Sequence, residues 1–160
     1  MEVDTETGEV EVIRVVNVND VGKVISWEGI GDPMIERKTV LAIDDDQDIL
    51  EFVKSILSPH YDVKTGCSGA ECIELAQSII TNAILLDVIM AHLGDGLDCL
   101  KKLKELQTTK NIPIIMMTSV NDVYDYRSQI EASFYAHDRW LDKPVKKDVL
   151  LKTVREVLGD

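Results

Sequence analysis

Asp44, Asp45, Asp87, Thr118 and Lys143 are the residues whose types could act together, and each stands at the end of a short apolar run. Thr39 to Ile43 is apolar and stops at Asp44-Asp45-Asp46. Asn82 to Asp87 reads Asn-Ala-Ile-Leu-Leu-Asp. Ile112 to Met117 stops at Thr118-Ser119, and a segment around Trp140 and Leu141 delivers Lys143-Pro144. If these runs are neighbouring strands of one parallel sheet, their C-terminal ends share the edge at which open α/β sheets place their sites. Three carboxylates, a hydroxyl and an ammonium would then converge, with Asp87 at the centre.

The chemistry open to such a cluster is narrow. A single buried carboxylate titrates upward and is inert, whereas carboxylates crowded around a divalent cation stay ionised and can act. Asp44 and Asp45 could hold a hard cation, and Mg²⁺ fits because it takes oxygen ligands and keeps several waters. Asp87 would supply a third oxygen. An aspartate so placed can attack phosphorus, with the metal neutralising charge on the transferred group. Lys143 would reach the phosphoryl oxygens as a point charge, and Thr118 would hydrogen-bond another of them.

Strands and helices alternate from Thr39 onward, which predicts a parallel sheet with helices on both faces. The expected strands are Thr39 to Asp44, Tyr61 to Thr65, Ala83 to Asp87, Pro113 to Met117 and Arg139 to Asp142. Ile49, Leu50, Val53, Ile56 and Leu57 keep the spacing of a buried helical stripe, ended by Pro59. Asp46 suits the N-cap of that helix better than a metal, and Ser68 suits the N-cap of the next, whose apolar residues include Ile73, Leu75, Ala76 and Ile79. A third helix is expected over Leu97 to Leu106, a fourth from Asn121 to about Ser133, and a closing one over Lys146 to Leu158. Ser119 reads as a loop residue.

Composition sets the outer bounds. The chain has 160 residues, 45% hydrophobic and 29% charged, which suits one ordinary domain with an appendage. No apolar run approaches the ~20 residues that span a bilayer, and the N-terminus lacks the regions of a signal peptide, so a cytoplasmic location without membrane insertion is the expectation. A net charge of -12 argues against direct nucleic-acid binding. Lys101, Lys102 and Lys104, and Lys143 with Lys146 and Lys147, read as solvated faces or helix ends. Cys67, Cys72 and Cys99 lack zinc-ligand spacing and read as buried free thiols, and His60, His92 and His137 are scattered.

Residues 1–38 form a separate segment, followed by a domain over 39–160. Glu9 to Val15 alternates with period two, Asn19-Asp20-Val21-Gly22 supplies a turn, and Lys23 to Gly29 returns as a second strand. Asp20 to Val24, Trp27-Glu28-Gly29-Ile30 and Ile35-Glu36-Arg37-Lys38 resemble the last two strands and closing signature of a PAS sensor domain. Asp32-Pro33 stands where that family has Arg-Asp. The resemblance implies a PAS tail, the alternative being an unrelated hairpin; a ligand-binding PAS pocket does not fit in so short a segment.

Asp44-Asp45, Asp87, Thr118 and Lys143-Pro144, in order and each at a strand end, resemble the signature of a response-regulator receiver domain over Thr39 to Leu158. The resemblance implies a flavodoxin-like (βα)5 fold, a five-stranded doubly wound parallel sheet. It implies Mg²⁺ held by Asp44, Asp45, Asp87 and the Ile89 carbonyl. It further implies phosphotransfer to Asp87 from a histidine kinase or a histidine phosphotransfer protein, catalysed by the domain itself and later reversed by hydrolysis. Such a domain is a switch acting on a downstream protein rather than a turnover enzyme. In the family the Thr118 position moves toward the phosphate and an aromatic, here Trp140, turns inward; Trp140 reads equally as a packing residue.

Three departures stand out. The loop after Asp87 has Met90 but Ala91 where the family has Pro, and Gly96 falls one residue later than usual. Thr118 to Trp140 is longer than typical, and the Gly-Ala that precedes the fifth strand is missing. Ile89 and Val120 occupy positions that tune hydrolysis, and two apolar residues predict a long-lived phosphoryl state. Two alternatives remain: a degenerate receiver acting as a protein-binding scaffold, and a phosphohydrolase of the haloacid dehalogenase type. The second expects an aspartate two residues after the nucleophile, where this chain has Ile89. The chain ends soon after its last helix, which suggests a single-domain regulator or a piece of a larger sensor.

Overall fold

In a computed structural model, the protein is described over residues 36–92, 94–119, 132 and 138–160. The elements are β1 (Thr39–Ile43), α1 (Gln47–Leu57), β2 (Asp62–Gly66), α2 (Gly69–Ser78), β3 (Ala83–Asp87), α3 (Asp95–Glu105), β4 (Ile114–Ser119), β5 (Arg139–Lys143) and α4 (Lys147–Leu158). All five strands form one parallel sheet in the order β2-β1-β3-β4-β5. This is the flavodoxin-like α/β architecture expected. The hairpin and all of the PAS-like segment but Glu36-Arg37-Lys38 fall on residues 1–35, outside the described residues, as does most of the helix expected from Asn121.

Alternation along the strands divides the core in two, because successive side chains of a strand point to opposite faces. Leu41, Ile43, Ile84, Leu86, Ile114 and Met116 face α2 and α3, where Cys72, Ala76, Leu97, Leu100 and Leu103 complete one layer. Val40, Ala42, Leu85, Ile115, Met117 and Leu141 face α1 and α4, with Leu50, Val53, Leu57, Leu150 and Val154. Every residue of β3 is buried, as a central parallel strand covered by helices on both faces requires.

Helix starts follow the expected capping chemistry. The Asp46 carboxylate accepts from the Asp48 N–H at 2.9 Å, and Ser68 Oγ accepts from the Glu71 N–H at 3.2 Å. α1 stops after Leu57, with Ser58 as its C-cap, still in helical backbone, and Pro59 beyond, where the proline has no N–H to carry the helix on. Several boundaries differ from the sequence reading, β1 stopping at Ile43 and β5 running on to Lys143. β2 starts one residue later and runs to Gly66, and β4 extends through Thr118 and Ser119. α3 begins at Asp95, because Gly94 takes a left-handed φ of 97° that turns the chain into the helix two residues early.

Two surface assignments also change. Cys72 and Cys99 are buried free thiols, but Cys67 is exposed in the turn after β2, its sulfur 3.0 Å from Gln47 Nε2. Lys104 is not a solvated residue: its Nζ lies 2.8 Å from an Asp138 oxygen, with both side chains almost fully buried. Asp138 also accepts from the Ile114 N–H at 2.8 Å, so this pair fastens α3 to the starts of β4 and β5.

Because Leu85 is fully buried at the centre of the sheet, Leu85→Ala is expected to cost about 2–5 kcal/mol. Urea unfolding monitored by circular dichroism checks this. A lower midpoint at unchanged m is the expected form of the loss, and a cost below about 1 kcal/mol would contradict the packing described.

Candidate phosphoacceptor site

Strand register brings the candidate residues level. Ile43 pairs with Leu86, Asp87 with Met117, Thr118 with Asp142 and Ser119 with Lys143. The ladder runs one step beyond the strand ends, through Asp44 N–H to the Gly66 carbonyl at 3.2 Å and Val88 N–H to the Met117 carbonyl at 3.0 Å. The backbone around Asp44 and Asp87 is therefore held by the sheet itself, and only the residues beyond belong to loops.

Lys143 sits between the two buried carboxylates. Its Nζ is 2.8 Å from Asp44 Oδ2 and 3.1 Å from Asp87 Oδ1, while Asp44 is 0% and Asp87 4% exposed. The second Asp44 oxygen accepts from the Asp46 N–H at 2.9 Å, and Asp87 Oδ1 also receives the Ile89 N–H at 3.4 Å. Burial pushes the Asp87 carboxyl up to about 6, with the neighbouring Asp44 charge adding to it and Lys143 opposing it. Burial also pulls the Lys143 ammonium downward, but the Asp44 hydrogen bond and the Asp87 charge outweigh it and leave its pKa above the usual lysine value.

Asp45 completes an acidic triad. It is exposed, and one oxygen from each of Asp44, Asp45 and Asp87 lies within 4.8 Å of the others. Beside the triad is a cavity of about 110 Å³ lined by Asp87, Val88, Ile89, Thr118, Ser119 and Lys143. Thr118 is 3% exposed, and its hydroxyl donates to the Ser119 carbonyl at 3.2 Å. The donor set is all hard oxygen, two of the three carboxylates are sheltered, and the third opens to water, which fits an ion that keeps part of its hydration shell. Asp44, Asp45 and Asp87 could hold such a cation.

Of the residues expected from sequence, Asp44, Asp45, Asp87, Thr118, Ile89 and Lys143 are brought together. Trp140 is not among the cavity residues; it lies partly buried against the core layer of α2 and α3. Asp46 is an N-cap. Ser119, read as a loop residue, is the last residue of β4 and lines the cavity; its place directly after Thr118 was the available signal.

The response regulator receiver domain family model matches residues 40–155. The chain is 31% identical over 120 residues to the response regulator MprA of Mycolicibacterium vanbaalenii, an alignment covering 74% of this chain and 49% of that protein. The chain spans about half the length of the curated relatives of this kind that it matches. Among solved structures, the chemotaxis response regulator CheY4 of Vibrio cholerae superposes with a TM-score of 0.68 at 29% identity, over 77% of this chain and 100% of that one. The receiver domain of the Pseudomonas aeruginosa sensor histidine kinase PA1611, with a magnesium ion coordinated in its active-site cleft, has the same fold at a TM-score of 0.68 and 21% identity, over 78% of this chain and all of that one. No described helix is long and apolar enough to cross a membrane. With the family model covering most of its length and the acidic triad, threonine and lysine gathered at one sheet edge, the chain belongs to the response regulator receiver domains of two-component signalling.

Proposed function

We propose that Asp87 accepts a phosphoryl group from a phosphohistidine of a sensor histidine kinase or histidine phosphotransfer protein. The modified domain then switches its contacts with a downstream protein. The observation that carries this reading is the Asp87 carboxylate, sheltered at a cavity mouth with Lys143 at 3.1 Å and two further carboxylates beside it. In the transfer, an Asp87 oxygen forms a bond to phosphorus as the bond from phosphorus to the imidazole nitrogen breaks. The released imidazole takes a proton from solvent. Hydrolysis reverses the state when water attacks phosphorus and the Asp87 oxygen leaves with the bonding pair.

Each residue has a part in that reaction. Asp44, Asp45, Asp87 and the Ile89 carbonyl would hold Mg²⁺, which when bound supplies positive charge against the transferred oxygens. Lys143 contributes a fixed ammonium to the same charge, and Thr118 a hydroxyl that can turn from the Ser119 carbonyl to a phosphoryl oxygen. The phosphoryl group adds roughly two negative charges at a buried strand end. Rearrangement of Thr118, and of Trp140 on the adjacent strand, would carry that change to the face near β5 and α4.

Three outcomes test the reading. Acetyl phosphate with Mg²⁺ is expected to add one phosphoryl group by intact mass, with none gained in EDTA or by Asp87→Asn, and Lys143→Ala is expected to slow the gain about a hundredfold. A folded, Mg²⁺-supplied protein that gains nothing would instead support the phosphorylation-independent scaffold.

The apolar Ile89 at the cavity, together with Val120 in the sequence, leaves little to orient an attacking water. The phosphoryl group is therefore expected to persist for minutes or longer after donor removal, followed by phosphate-affinity electrophoresis. Loss within seconds would refute this.

The third outcome concerns pH. Folded Asp87 titrates at about 6, above the ~3.9 of an unfolded aspartate, so between these values the folded chain binds more protons. Metal-free stability attributable to this residue is therefore present at low pH and lost as pH rises toward and through 6. Asp87→Asn removes that loss. In EDTA its advantage over wild type is expected to grow from near zero at about pH 4 to as much as ~3 kcal/mol at pH 7.5. Urea unfolding at the two pH values reads it, and an advantage that does not change with pH would show that burial does not perturb Asp87.

A further inference from the structure

We propose that Gly96 is a positioning residue of the phosphoacceptor site: its missing side chain lets the first turn of α3 seat on the backbone of Asp87 and Val88 and so fixes the loop that carries Ile89. The inference rests on the phosphoacceptor reading above and deepens it. A Cβ at position 96 would stand 2.1 Å from the Asp87 carbonyl oxygen, 2.6 Å from the Val88 carbonyl oxygen and 2.8 Å from Val88 Cα. All three are main-chain atoms, so no side-chain rotation makes room. The same approach lets the Gly96 N–H donate to the Val88 carbonyl at 3.2 Å.

Space, not backbone conformation, is what position 96 requires. Gly94 and Gly159 have φ of +97° and +72° with open space where a Cβ would go, and Gly96 is the reverse case, in ordinary backbone against a wall. Both sides of that wall are anchored. Asp87 pairs with Met117, and the Val88 N–H is bonded to the Met117 carbonyl. On the other side, Leu97, Leu100 and Leu103 bury α3 in the core.

A side chain at 96 therefore forces a displacement into the first residue that neither the sheet nor the helix holds. That residue is Ile89, which lines the cavity and whose N–H reaches Asp87 Oδ1. The chain between is drawn tight by a small turn: the Asp95 carboxylate accepts from the His92 N–H at 3.0 Å, and the Asp95 N–H donates to the His92 carbonyl at 3.2 Å.

The test compares the full chain with Gly96→Ala and, as a glycine-to-alanine control away from the site, Gly159→Ala. Mg²⁺ binding is measured by calorimetry, phosphoryl gain from acetyl phosphate by intact mass, and folding by circular dichroism. Gly96→Ala is expected to weaken Mg²⁺ binding at least tenfold and slow phosphoryl gain at least tenfold while remaining folded. Gly159→Ala is expected to lower the melting temperature with Mg²⁺ affinity within twofold of wild type. Folded Gly96→Ala with wild-type affinity and rate overturns the inference and leaves the proposed function standing. Wild-type protein that takes up neither Mg²⁺ nor phosphate removes the proposed function, and this inference with it. Should Gly96→Ala not fold, amide hydrogen exchange on the wild type decides. A protected Gly96 amide and an Ile89 amide whose exchange slows on adding Mg²⁺ are expected; a Gly96 amide exchanging as fast as an open loop overturns the inference.

Discussion

The Lys143 ammonium between Asp44 and Asp87 is the interaction on which the rest of the site depends. Two carboxylates at the ends of adjacent strands, both out of water, repel each other and lose hydration, and two such charges left without a counter-charge would be costly. Lys143 reaches both, at 2.8 and 3.1 Å. The partners are not treated alike. Asp44 accepts on both oxygens, from Lys143 and from the Asp46 N–H, whereas Asp87 has the longer contact to Lys143 and a 3.4 Å bond from Ile89. Asp44 is thus the more fully hydrogen-bonded carboxylate and Asp87 the less satisfied one, an asymmetry that suits the nucleophilic role proposed for Asp87.

That arrangement requires β1, β3 and β5 to end level, and the requirement explains why so much was legible in the sequence. In a parallel sheet the apolar runs show which residues are inside, and the first polar residue after each run marks the shared edge. Asp44, Asp87 and Thr118 could be placed from that alone, together with the caps Asp46 and Ser68, whose chemistry is local. What stayed hidden depends on partners distant in sequence. Lys104 reads as one more lysine of a charged helix, and only the fold brings it to Asp138, which itself fastens the Ile114 N–H. Cys67 looked like its two buried neighbours because a turn residue one place past a strand has no periodicity to betray it. The need for glycine at 96 is a matter of helix-to-strand distance, which no pattern of residue types encodes.

A cation joining this site meets an ammonium already in place. Lys143 engages Asp44 Oδ2 and Asp87 Oδ1, so Asp87 Oδ2 is not taken by the ammonium, and Asp44 Oδ1 is shared with the Asp46 N–H. Asp45, exposed beside them, would be the ligand through which a hydrated ion enters without first being stripped of its waters. The sheltered pair alone would make a tight but closed site. With one carboxylate in water, an ion would have a route in, and the cavity on the Thr118 side would be left for the proposed phosphoryl group.

The sheet and the loop divide the remaining work. Hydrogen bonding through Val88 fixes the Asp87 backbone as firmly as any core residue, but the ladder stops there, and from Ile89 onward the chain has no strand to hold it. Its position is instead set from the far side, by a helix whose leucines are buried in the core layer. A loop held this way is precise only while α3 stays seated, so packing at Leu97 and Leu100 bears on the geometry around Asp87 although neither residue lines the cavity. Stability and the geometry of the candidate site meet here in a helix start pressed against two carbonyls, and the residue at that contact has room for no side chain at all.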